Sequence, residues 1–71
     1  MLKVEIWVEG ALDPSWAKWL DGFTISHDEQ GETLIRGEVK DQAALYGLIG
    51  KLRDLGVTLL NVKVDSMDKN N

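Results

Sequence analysis

The chain has no cysteine and a single histidine, His27. A disulfide is therefore excluded, and a structural zinc site lacks its usual ligand set. Cationic residues are also scarce. Eight Lys and Arg stand against twelve Asp and Glu, for a formal net charge of −4. Phosphate binding needs clustered basic residues, and here they are scattered, which argues against nucleic acid. The same acidity suits an anionic membrane surface poorly. No run approaches the roughly 18 consecutive apolar residues of a membrane span. The N-terminus lacks the apolar core of a signal peptide. These absences give the expectation of a soluble, cytoplasmic protein.

Catalytic groupings are missing as well. No nucleophile has a base beside it, no glycine loop has phosphate-binding form, and no spacing fits a metal site. Ser15, Ser26 and Ser66 are unremarkable by position. His27 is followed by Asp28 and Glu29, and a His beside carboxylates can act as a ligand or base. Neighbours on a hairpin point different ways, however, so a solvated turn is the better reading. The expectation is a non-enzymatic protein with no cofactor and no metal.

What is present is a compact α+β pattern. At 71 residues with 44% hydrophobic and 28% charged, the chain reads as one domain over 1–65 and a flexible polar tail over 66–71. A domain of this size buries only about 60% of its unfolded surface and gains from further support. With a disulfide excluded and a structural metal site disfavoured, the remaining support is association.

Leu2 to Glu9 alternates strictly, with Leu2, Val4, Ile6 and Val8 on one side and Lys3, Glu5, Trp7 and Glu9 on the other. That is a half-buried strand. Asp13-Pro14 reads as the N-cap and first position of a short helix carrying Trp16, Trp19 and Leu20, which Gly22 stops. At about two turns it needs docking to persist, and its tryptophans read as core anchors. Phe23 to His27 and Glu32 to Val39 form a hairpin around Asp28-Glu29-Gln30-Gly31. Ile35 and Val39 face inward; Leu34, Arg36 and Glu38 face outward. Asp41 caps a second helix, along which Leu45, Leu48, Ile49, Leu52 and Leu55 make an apolar stripe. Gly56 ends it, and Val57 to Val64 forms the last strand.

The resulting order βαββαβ interleaves into a ferredoxin-like fold: a four-stranded antiparallel sheet with two helices on one face, the first of them short. The expected core is Val4, Ile6, Val8, Trp16, Trp19, Leu20, Phe23, Ile25, Ile35, Leu45, Leu48, Ile49, Leu52, Leu60 and Val62.

Two surfaces stand out. On the second helix, Ala43, Gly47, Gly50 and Asp54 share a face, flanked by Tyr46 and Arg53. Each interior glycine costs about 1 kcal/mol relative to alanine, a cost that close packing of another backbone would explain. Tyr and Arg are enriched in interface hot spots. On the outer sheet face, Trp7, Leu34 and Leu59 lie among charged neighbours, and an outward tryptophan usually has something to cover it. The leading expectation is an interaction or regulatory module acting as a homodimer or as an accessory subunit of a larger protein. The alternative is a small-molecule-binding, even catalytic, dimer with a pocket between sheet faces.

The run Asp41-Gln42-Ala43-Ala44-Leu45-Tyr46-Gly47-Leu48-Ile49, then Arg53-Asp54-Leu55-Gly56, then Leu59-Leu60-Asn61-Val62 resembles a family of small, uncharacterised bacterial proteins of about this length. Gly10-x-Leu12, Trp16-x-x-Trp19 and Gly31-x-Thr33-x-Ile35-x-Gly37 extend the resemblance over nearly the whole chain. That family often has histidine where Tyr46 stands, so no imidazole role carries over. The resemblance implies no activity. As a fold, the pattern is also similar to small-molecule-sensing ACT-type domains, which is analogy alone.

Overall fold

The computed structural model describes residues 1–10, 20 and 22–66. Among these, four strands and one helix follow in the order β1 (Leu2–Glu9), β2 (Thr24–His27), β3 (Glu32–Val39), α1 (Gln42–Asp54) and β4 (Leu59–Ser66). The strands form one antiparallel sheet in the order β2-β3-β1-β4. Among the described residues the fold is therefore α+β with a βββαβ order and one helix against the sheet, in place of the expected two-helix ferredoxin-like arrangement. The expected first helix, with Trp16 and Trp19, falls outside the described residues. Of that segment only Leu20 and Gly22 are described. They lie in a turn closed by Phe23 N–H on the Leu20 carbonyl at 2.9 Å, with Gly22 at φ +87°.

β1 takes its place at the sheet centre because its alternation gives it a fully apolar inner face. Val4, Ile6 and Val8 are completely buried. Ile6 sits opposite Ile35 on β3 and Val62 on β4. Leu45 and Leu52 of α1 close over this face, with Leu20, Ile35 and Val39 completing the buried cluster.

Both ends of α1 are set by the sequence. The Asp41 carboxylate accepts from Ala44 N–H at 2.9 Å, satisfying a free donor of the first turn. At the other end Gly56 N–H donates to the Arg53 carbonyl and Val57 N–H to the Leu52 carbonyl, each at 3.0 Å. This is a Schellman closure, and it needs the left-handed φ of +81° that Gly56 supplies. Leu55, expected in the apolar stripe, is the C-cap residue and is 46% exposed.

The closure also moves the last strand. Val57 N–H belongs to the helix end, the Thr58 carbonyl accepts from Glu9 N–H at 2.9 Å, and β4 runs from Leu59 instead of Val57 to Ser66. Asp65 and Ser66 pair with Lys3 and Leu2, so the strand reaches past the expected domain edge. A bulge lies between Trp7 and Val8, where Val8 pairs with Leu59 and Trp7 with Asn61. Leu60 is left without a partner on β1, and it is 45% exposed instead of core. Leu59 packs against the core instead of standing on the outer face. One extra residue in a strand exchanges the sides of its neighbours.

Candidate functional site

All six helix-face residues lie on α1. Ala43, Tyr46, Gly47, Arg53 and Asp54 are exposed and Gly50 is half-buried. Tyr46 is 64% exposed. A Cβ added at Gly47 or Gly50 would meet nothing within 4 Å, so no described neighbour within the protomer requires either glycine. Gly47 also borders an open apolar depression of about 300 Å³ between α1 and Leu20, Phe23 and Val39. Arg53 and Asp54 approach to 3.7 Å, but both are so exposed that the pair contributes little to stability.

The sheet face retains two of its three expected residues. Trp7 lies between Leu34 on β3 and Asn61 on β4, and both Trp7 and Leu34 are half-buried. Leu59 is removed from this face by the bulge. Glu5 and Arg36 form an ion pair at 3.4 Å. An open depression of about 540 Å³ lies at the β1–β3 end of the sheet, bounded by Met1, Lys3, Thr24, Arg36 and Glu38.

The His27 turn is a hairpin device. Asp28 Oδ1 accepts from Gln30 N–H at 2.9 Å and Glu32 N–H at 2.8 Å. Asp28 N–H donates to the Glu32 carbonyl at 2.9 Å, and Gly31 takes φ +85°. The four residues Asp28 to Gly31 thus bridge the strands with glycine in the left-handed position. The carboxylate beside His27 is occupied by backbone, and no group of three or more potential metal ligands forms among the described residues.

One polar arrangement has no counterpart in the sequence pattern. Thr33 is fully buried. Its hydroxyl donates to the Gly10 carbonyl at 2.6 Å and lies 3.1 Å from His27 Nδ1. A hydroxyl has one proton. With that proton on Gly10, the imidazole supplies the proton of the second bond from Nδ1. The available signal is positional: Thr33 has the inward parity of Ile35 and Val39, where a polar residue needs partners. The arrangement ties the end of β1 to the β2–β3 hairpin.

Residues 3–63 match the family described as Domain of unknown function (DUF8691), and the chain belongs to that family. No curated protein and no solved structure matches it.

Proposed function

We propose that this member of the DUF8691 family is a small, non-enzymatic interaction module, acting as a homodimer or as an accessory subunit of a larger assembly. The observation that carries the reading is the open face of α1. Two glycines weaken the helix, and no described residue of the protomer occupies the space they leave. Beside them stands Tyr46, large, amphipathic and exposed. A second backbone laid across Gly47 and Gly50 would gain close contact there, with Tyr46 and Arg53 at its border.

The test is Gly47→Glu. The new side chain enters open space and replaces a helix-weakening glycine, so thermal unfolding should stay at or slightly above that of the unaltered chain. Binding should not. Loss of the complexes formed in a native-host extract, with the fold preserved, is the expected result. If the variant forms them as the unaltered chain does, the helix face is not the contact.

A second reading, a small-molecule-binding dimer, has one observation in its favour. The open depression bounded by Lys3, Thr24, Arg36 and Glu38 lies where two sheet faces would enclose it. Ligand-induced thermal shift that disappears in Trp7→Ala, together with dimerisation, would favour it.

A further inference from the structure

The outer face of the sheet carries its charges in a pattern that only the strand register reveals. In one cross-strand row Lys3 stands between Glu38 and Asp65. In the next row Glu5 stands between Arg36 and Lys63. The signs read minus-plus-minus and then plus-minus-plus. Beyond them comes an uncharged row, Leu34–Trp7–Asn61. α1 packs on the other side of the sheet, so this face is uncovered by it.

We infer that this face is self-complementary and binds a second copy of the chain, sheet against sheet. Consider a two-fold axis lying between two such sheets, perpendicular to the strands and passing over Val4. Each strand then lies over its own counterpart, running the opposite way. Lys3 faces Glu5 of the second copy, Arg36 faces Glu38, and Lys63 faces Asp65. All three relations occur twice by symmetry, as an isologous contact requires. Every charge of both rows meets its opposite.

Other alignments lose this match. An axis parallel to the strands over β1 sets Lys3 on Lys3 and Glu5 on Glu5, and one between β1 and β3 pairs Lys3 with Glu38 and Glu5 with Arg36 but leaves Lys63 and Asp65 over uncharged β2. An axis over Trp7 stacks the two tryptophans but sets Glu5 against Glu9. The alignment over Val4 also brings half-buried Trp7 against Met1 of the second copy, which is 52% exposed. A thioether at an aromatic ring is a favourable contact.

Three eight-residue strands about 27 Å long and the four-residue β2, about 4.8 Å apart, present roughly 450 Å² per copy. The total of about 900 Å² is that of a weak, transient contact. The contact is therefore reversible and weakens with added salt. It rests on the reading of the chain as an associating module but uses the surface opposite the α1 face, so the two are separable. Gly47→Glu leaves the sheet face untouched, and exchanges at positions 3 and 5 leave α1 untouched.

The experiment is sedimentation equilibrium at low salt on the unaltered chain, Lys3→Glu, Glu5→Lys, and an equimolar mixture of the two variants, with circular dichroism to check folding. Each single variant sets like charges face to face and should weaken dimerisation by about tenfold or more. In the mixture, positions 3 and 5 are both acidic in one chain and both basic in the other. Opposite charges then face each other again, so dimers should return as heterodimers. Should either variant fail to fold, the pair Lys63→Glu and Asp65→Lys makes the same exchange on exposed residues of β4. A monomeric unaltered chain, single variants that dimerise normally, or a folded mixture that stays monomeric would each overturn the inference.

Discussion

The ring of Phe23 occupies the space that a side chain at Gly37 would fill. A Cβ at position 37 would lie 2.5 Å from Phe23 Cδ2 and 2.8 Å from Cγ. Gly37 sits opposite Val4 on the inner face of β3, and Phe23 leads directly into β2. The glycine weakens its strand locally and the aromatic ring covers it, a pairing that fixes how the β2 edge meets the sheet.

Gly37→Ala should therefore destabilise the fold by about 1–3 kcal/mol through overpacking against the ring. The cost should shrink when Phe23→Leu is made in the same chain. Urea unfolding of both single variants and the double variant measures that coupling. Additive effects would mean that the ring and the glycine are independent.

Thr33→Val should cost about 1–3 kcal/mol, because the Gly10 carbonyl and the His27 Nδ1–H lose their shared partner. Nitrogen chemical shifts of the imidazole give a second readout: neutral His27 should carry its proton on Nδ1 in the unaltered chain. A predominant Nε2–H form would contradict the assigned direction of the bond.

The two α1 glycines should separate folding from binding. Gly47→Ala places a methyl group in open space and removes a helix-weakening residue, so stability should rise by about 0.5–1 kcal/mol. If another backbone packs on that face, the same variant should bind it less well. Thermal unfolding and binding measured on one preparation should move in opposite directions.

The bulge assigns different costs to adjacent leucines. Leu59 packs on the core and Leu60 is 45% exposed. Leu59→Ala should lower stability by roughly 2 kcal/mol, while Leu60→Ala should stay within about 0.5 kcal/mol. Equal effects in chemical denaturation would contradict the β4 register.

Which features the sequence displays follows from the range of the interaction behind them. β1 is legible because its alternation is local and its inner face is buried. α1 is legible because Asp41 and Gly56 act within one turn of their own ends. The Leu59–Leu60 pair is not, since two adjacent leucines carry no parity until Val8 and Trp7 supply it. The start of β4 is hidden in the same way, because the N–H of Val57 serves the helix end. Thr33 draws its partners from 6 and 23 residues away, a separation no periodicity shows. The helix face is readable as a cluster because its residues share one helix at helical spacing. The alternating signs of Lys3 and Glu5, of Arg36 and Glu38, and of Lys63 and Asp65 stand in the sequence. Their alignment into rows exists only once the strands are paired.

Solution mass of the unaltered chain, by light scattering over a dilution series at low and moderate salt, tests the claim of association most directly. The account predicts a dimer at low salt that dissociates on dilution, and that needs a higher protein concentration to persist once salt is added. A mass equal to one chain at every concentration and salt would contradict self-association, leaving the α1 face to be tested with another protein.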